Sequence, residues 1–285
     1  MMRTNGPLVT IAIPIYNAEE YLEYAIQSVV NQTYKDWILL LINDGSTDKS
    51  LDIMMDFSSR YDNVKVVNDN QNRGLVYRLN ESIALTSTKY YARMDADDIM
   101  AKSRIETQIL YLESHEDIDV LGSSAMLIDN NNIITGSWLS QGKVEKFIHP
   151  TVIGKTQWFK KNQYTSWAVR AEDSELWIRT ASKSNFYSLE QPLLFYREYG
   201  VPALNKTIKS LKTMIKIYSR YSIYGHSFLW GSINILVTFF KIIIYLFFSK
   251  IGKMDYILKK RVRNKVFIDD VMTEQDLLAS VSKKM

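Results

Sequence analysis

Residues 8–42 read LVTIAIPIYNAEEYLEYAIQSVVNQTYKDWILLLI, and this stretch decides the fold. Leu8 to Ile13 is a short apolar run of buried-strand character, and Trp37 to Ile42 is a second. Between them Tyr21, Leu22, Ala25, Ile26, Val29 and Val30 recur at helical spacing, and Asn17 with Glu20 has capping-box character at the helix start. The rhythm continues outward. Val64 to Val67 and Tyr90 to Met94 supply a third and a fourth strand, separated by helical periods through Leu51, Met54, Met55 and Ser58 and through Leu75, Leu79 and Ile83. Repeated strand–helix–strand units predict an α/β fold, a mostly parallel central sheet flanked by helices on both faces.

After residue 98 the pattern changes. Ile105, Ile109 and Leu112 continue as a helix. Val120-Leu121 and Met126 to Ile128, the polar turn Asp129 to Asn132, and Ile133-Ile134 predict a meander or hairpin. A helix is expected from Asp173 through Leu176, Trp177 and Arg179, and a strand over Leu193 to Tyr196 after Pro192. From about Ala203 onward the chain reads as helical and either basic or apolar. A chain of 285 residues with 46% hydrophobic content buries a sizeable core, as one large domain with an appendage or as two small domains. The expected division is residues 1–205 and a helical extension, 206–285. With no cysteine, a disulfide framework and a thiolate zinc site are both excluded, and a reducing compartment is mildly favoured. Met1 to Pro7 lacks the apolar core and small-residue cleavage site of a signal peptide, so the first domain is expected in the cytoplasm.

The net charge of +4 is unevenly spread. Lys206, Lys209, Lys212, Lys216 and Arg220, then Lys250, Lys253, Lys259, Lys260, Arg261, Arg263 and Lys265, bracket an apolar stretch, residues 228–248, long enough to cross a bilayer. Basic residues on both sides fit a single span poorly, because both flanks prefer the cytoplasmic face. A re-entrant hairpin around Gly231-Ser232, or helices lying in the interface, fits better; a buried helix of a soluble domain is the plain alternative. The expected location is the cytoplasmic face of the membrane, held through residues 223–251. Nucleic acid is not an expected partner, since these basic residues flank apolar sequence rather than a stacking platform.

In open parallel sheets, ligands bind beyond the carboxyl ends of the strands. Here those ends carry Pro14-Ile15-Tyr16-Asn17, then Asn43-Asp44-Gly45-Ser46-Thr47-Asp48, then Asn72-Arg73-Gly74, then Asp95-Ala96-Asp97-Asp98. Each is also readable as an ordinary loop: Asp-Gly-Ser-Thr-Asp is a good turn before a helix, and Arg73 a solvated arginine. The last loop packs three carboxylates into four residues. Hard oxygen ligands so crowded suit Mg2+ or Mn2+, whereas a helix cap needs one carboxylate and three repel unless something neutralises them. Glu172-Asp173 is a second acidic pair, readable on its own as first-turn acids of a helix.

The runs TIAIPIYNAEEYLEYAIQSVVNQTY, INDGSTDKS, NRGL, MDADD, HPT and AEDSELW, in this order between residues 10 and 177, resemble the family 2 glycosyltransferases of the GT-A (Rossmann-like) fold. The resemblance implies an inverting transferase that moves a sugar from a nucleotide-sugar donor. It implies that Asp44 accepts a hydrogen bond from the base, that Pro14, Tyr16 and Glu20 line the nucleoside pocket, and that Arg73 faces ribose, base or phosphate. It further implies that Asp97 ligates the metal with Asp95 on ribose or metal-bound water, that Asp98 supports the site or caps a helix, and that Asp173 is the base. Glu172 and His149 then have acceptor-side or supporting roles. Two departures stand out. Asn43 replaces the first of the two aspartates common in relatives, and Gln163 to Ser166 stand where a glycine pair is common.

Together with the basic, apolar C-terminal third, this gives the expected function: transfer of a sugar, from a UDP-sugar, to a glycan or polyprenyl-diphosphate-linked glycan in surface-polysaccharide, O-antigen or capsule assembly. The competing expectation is a non-catalytic nucleotide-sugar or glycan-binding subunit, which needs no Asp173. A nucleotidyltransferase is disfavoured, because Ile13 to Asn17 offers neither glycine nor basic residue.

Overall fold

The computed structural model describes residues 8–140, 147–198, 204–224, 227–253 and 274–281. The chain divides into two compact units, Met1–Gln163 with Asn185–Glu198 and Val266–Met285, and Tyr164–Ser184 with Tyr199–Lys265. Of the second basic cluster, Lys259 to Lys265 lie outside the described residues, as does the helical character expected there.

The first unit begins β1 (Val9–Ile15), α1 (Leu22–Val30), β2 (Trp37–Asn43), α2 (Ser50–Arg60), β3 (Val64–Asn68), α3 (Leu75–Leu85) and β4 (Tyr90–Arg93), as the alternating apolar runs require. It continues β5 (Ile99–Met100), α4 (Arg104–Ser114), β6 (Val120–Ile128), β7 (Ile134–Trp138), β8 (Ile153–Lys155), α5 (Thr156–Lys161) and β9 (Phe186–Arg197). One sheet joins all nine strands, in the order β3-β2-β1-β4-β8-β6-β9-β5 with β7 beside β6. The strands β1 to β4, β6 and β9 run one way, while β5, β7 and β8 run the other. The β6–β7 hairpin is the one expected; its turn places Asn132 at φ 63° and sends the Ile133 N–H to Asp129 Oδ1 at 2.9 Å.

Burial follows the sequence pattern. Strands β1 and β2 are covered on both faces, and their Val9, Ile11, Ile13, Leu39 and Leu41 join Leu22, Ile26, Val29, Ile105 and Leu121 in the main core. The strand after Pro192 is longer than expected. Pro192, which has no N–H for the ladder, is accommodated where the β6–β9 register shifts on either side of Ser124.

The expected capping box of α1 does not form. Its N-cap is Tyr21, with no side-chain cap bond. Asn17 instead adopts φ 48° and accepts the Thr47 N–H at 2.8 Å, while the Ala18 and Glu19 N–H groups reach Ser50 Oγ and Asp48 Oδ2 at 2.8 and 3.0 Å. These polar residues brace the loops after β1 and β2 against each other, a use that local spacing does not reveal. Because β1 connects to β2 on one side and pairs with β4 on the other, those two loops and the one after β4 diverge around the switch point where α/β sheets bind ligands. Helix α9 (Glu274–Val281) belongs to this unit, and the Ser280 carbonyl accepts from Asn31 Nδ2 on the loop after α1 at 2.9 Å.

The second unit holds α6 (Glu172–Thr180), α7 (Leu204–Tyr224) and α8 (Phe228–Lys250). Ala171, Ile178 and Ile217 form its small core, flanked by Trp167, Met214, Tyr218, Tyr221 and Trp230. Among the described residues, α8 is the one helix long and apolar enough to cross a membrane by length and composition.

Candidate active site

Asp44, the residue after β2, is the hub of one side of the crevice. Only 6% of its surface is exposed. Its Oδ1 accepts from the Arg73 N–H at 2.7 Å and Arg78 Nε at 2.9 Å, and its Oδ2 from the Gly74 N–H at 3.0 Å. A carboxylate has about four lone-pair directions, so Oδ2 keeps capacity for a further donor. Gly45 is obligatory beside it. At φ +72° its backbone passes the next loop so closely that an added Cβ would sit 2.8 Å from Asn72 N and from the Gln71 carbonyl carbon. Gly74, at φ +84°, turns the chain into α3.

Arg78 fastens this arrangement from below. Its side chain is fully buried on α3 and also donates to Asp69 Oδ1 at 2.6 Å, Glu81 Oε2 at 2.8 Å and the Gln71 carbonyl. Burial by itself would pull the guanidinium down, but the bonds to Asp69, Glu81 and Asp44 outweigh it and hold its pKa above the ordinary arginine value. The Arg78 hydrogen bond in turn pulls Asp69 down to about 2. Arg73 sits at the rim, its Nε 2.9 Å from Asp69 Oδ2 and its Nη1 2.9 Å from the Tyr77 hydroxyl.

On the same sheet edge, Asp95, Asp97 and Asp98 follow β4, each with a ligand atom within 4.8 Å of the others'. They are not equivalent. Asp95 pairs with Arg93 Nη2, while Asp98 is 1% exposed, accepts the Arg197 N–H at 2.9 Å through Oδ1, and has a buried Oδ2 with no hydrogen-bond partner. Burial, then the neighbouring Asp95 and Asp97 charges, push Asp98 well above the usual carboxylate range. Three converging carboxylates with an unsatisfied buried oxygen fit a hard divalent cation, which would remove both the repulsion and the desolvation cost. Asp98 does not cap α4, whose N-cap is Ser103.

Arg197 holds the cluster's backbone. At the end of β9 it donates Nε to the Asp97 carbonyl at 2.8 Å, Nη1 to the Asp129 carbonyl and Nη2 to Asn132 Oδ1, both at 2.6 Å, and stacks 3.9 Å from the Tyr21 ring centroid. Arg104 packs beneath, donating Nη2 to the Arg93 carbonyl at 3.1 Å, and burial lowers its pKa to about 9. These arginines were not anticipated from the sequence. Their signal was there: Arg78, Arg93 and Arg197 each interrupt or end an otherwise apolar run, where a solvated charge is out of place.

Of the remaining expected residues, Pro14 is half-buried, and Tyr16 and Glu20 are exposed, Glu20 accepting the Tyr21 hydroxyl at 2.6 Å. His149 opens a 3-10 turn and is buried; desolvation, reinforced by the Arg93 charge, keeps its pKa well below the ordinary value and the ring neutral.

The second unit carries the Glu172-Asp173 pair at the start of α6, both half-buried, with Asp173 Oδ1 accepting the Ser174 N–H at 2.7 Å. The next acid, Glu175, is fully buried and structural, bonded to Arg179 Nε at 2.8 Å and to the Tyr221 hydroxyl. The residue before Ala171 is strained: Arg170 adopts φ 63°. Helix α7 holds it there, with Ser210 Oγ donating to the Arg170 carbonyl and Thr213 Oγ1 to the Val169 carbonyl, both at 3.0 Å.

Known proteins resemble this chain in sequence and in fold. The profile of glycosyl transferase family 2 matches residues 10–173, which span strands β1 to β8 and both acidic motifs. The chain is 29% identical over 269 residues to an uncharacterized glycosyltransferase of Methanocaldococcus jannaschii, covering 85% of this chain and 88% of that protein. It is 25% identical to the O-antigen biosynthesis glycosyltransferase WbnJ of Escherichia coli, covering 67% of this chain and 79% of WbnJ. Among solved structures, S. aureus TarS in complex with UDP-GlcNAc superposes with a TM-score of 0.64 at 15% identity, over 96% of this chain and 81% of TarS. A mannosyltransferase from Pyrobaculum calidifontis in complex with GDP-Man and Mn2+ gives 0.59 at 14% identity, over 97% and 86%. Sheet, crevice and motifs define an α/β glycosyltransferase of GT-A type. The chain belongs to glycosyl transferase family 2.

Proposed function

We propose that this chain is an inverting, metal-dependent transferase that moves a sugar from a UDP-sugar to a glycan acceptor carried on a polyprenyl diphosphate, in surface-polysaccharide assembly at the cytoplasmic membrane face. In this reading residues 1–205 carry out the transfer and residues 206–285 hold the chain to the membrane. The observation that carries the reading is the convergence of Asp95, Asp97 and Asp98 on the sheet edge that also bears Asp44. The relatives support its classes: WbnJ acts in O-antigen biosynthesis, TarS holds UDP-GlcNAc, and the Pyrobaculum enzyme holds a nucleotide sugar with Mn2+.

Asp44 takes the imide N–H of the base through the free direction on Oδ2, with Pro14, Tyr16 and Glu20 around the nucleoside and Arg73 toward ribose or phosphate. Asp97, with Asp95, would hold Mg2+ or Mn2+, which when bound would supply Lewis-acid stabilisation of the charge on the departing diphosphate. Asp98 and Arg197 fix the loop on which those ligands stand. Asp173 takes the proton from the acceptor hydroxyl, whose oxygen bonds to the anomeric carbon while the nucleoside diphosphate departs from the opposite face with the bonding pair. Glu172 and His149 support the acceptor side.

Slow hydrolysis of a panel of nucleotide sugars identifies the donor without the acceptor. UDP release is expected with Mn2+ or Mg2+, lost on chelation and lowered by about 10²-fold or more in Asp97→Asn. Asp173→Asn should abolish transfer while donor binding persists. Hydrolysis indifferent to chelator and to Asp97 would sink the metal assignment.

A further inference from the structure

We propose that α7 and α8 form a hairpin lying in the plane of an anionic membrane surface, with α8 sunk among the acyl chains without crossing them and α7 on the phosphates. The inference rests on the membrane association proposed above and decides its geometry.

Helix α8 carries a broad apolar surface that none of the described residues of its own unit covers: Phe228, Leu229, Leu236, Phe240 and Phe247 are each more than half exposed. Its covered side begins at Gly231, where an added Cβ would lie 2.1 Å from Ser222 Cβ on α7, and continues to Thr238, two turns on. Trp230 meets Tyr218 edge to face at 5.3 Å, so α8 packs on α7 rather than standing alone. The other face of α7 is basic. Lys206, Lys209, Lys212 and Lys216 are all exposed, and steps of three or four residues put them in one stripe.

This pairing excludes a simple span. If α8 crossed the bilayer, the attached α7 would be drawn in beside it and its lysines would enter hydrocarbon, where charge is strongly disfavoured. Exposed Lys241, near the middle of the 23-residue α8, would sit near the bilayer centre. In the plane of the interface both conflicts vanish. The lysine stems reach the headgroup phosphates, Lys241 snorkels a short distance, and the phenylalanines and leucines of α8 enter the acyl region. Charge complementarity therefore selects a bilayer containing anionic lipid as the partner.

The cysteine-free chain makes the test direct. Leu236→Cys, Phe240→Cys and Phe247→Cys share one helix face, and each full-length variant carries a depth-sensitive fluorophore quenched by brominated lipids. With vesicles containing phosphatidylglycerol, all three probes should report the same shallow depth. Lys209→Gln and Lys216→Gln should each weaken vesicle partitioning about fivefold, additively, and vesicles of phosphatidylcholine alone should bind far less. Depths graded from one leaflet to the other would overturn the in-plane geometry while keeping the membrane reading. Equal binding to both vesicle types, indifferent to the lysine changes, would overturn the anionic partner. Failure to float with either vesicle would overturn the membrane reading itself.

Discussion

At the scale of single residues, the crevice is built by buried arginines as much as by the aspartates the motifs advertise. Arg78 has no exposed surface, yet Asp44, Asp69 and Glu81 all face it. Replacing it with methionine leaves the buried Asp44 carboxylate without its guanidinium partner, a loss on the order of 3–5 kcal/mol, and frees the Arg73–Gly74 turn. Urea denaturation should show that loss, and nucleotide binding by the folded fraction should weaken; an Arg78→Met protein of unchanged stability would contradict the arrangement. Asp69 adds a pH signature. Its folded pKa, about 2, lies below the ordinary value near 3.9, so the stability it contributes is present above about pH 4 and is lost as pH falls toward about 2. The urea midpoint of Asp69→Asn should therefore depend less on pH in that window than that of the unaltered chain.

At the scale of elements, α7 links the acid-bearing turn to the basic stripe within one unit. Arg170 at φ 63° is a conformation that costs of order 1–3 kcal/mol and persists only where neighbours determine it. Ser210 and Thr213 supply that determination through the Arg170 and Val169 carbonyls. Removing both hydroxyls, as Ser210→Ala with Thr213→Val, is expected to cost about 1 kcal/mol per bond and let the turn before Glu172-Asp173 relax. The kinetic mark of such relaxation is a lower kcat with little change in donor KM. A double variant with unaltered kcat would show that the strain has no part in holding Asp173.

At the scale of the molecule, the sequence by itself determined the alternation of strands and helices up to β4, the hairpin of β6 and β7, and the acidic loop that ends β4. Those features are local: each rests on a period of two or 3.6, a turn composition or contiguous carboxylates. It also carried the family, because six short runs fall in one order. Only the tertiary structure decided the rest. The antiparallel insertion of β8 between β4 and β6 is a long-range pairing with no local period. Asn17 looked like a cap and proved to be a brace to Thr47, because its partner lies 30 residues away. Arg78 and Arg197 had no role assigned from the sequence; folding placed Asp44 against one and the Asp97 carbonyl against the other. A charge acquires its meaning from the groups that share its burial, and burial is fixed by how distant segments pack.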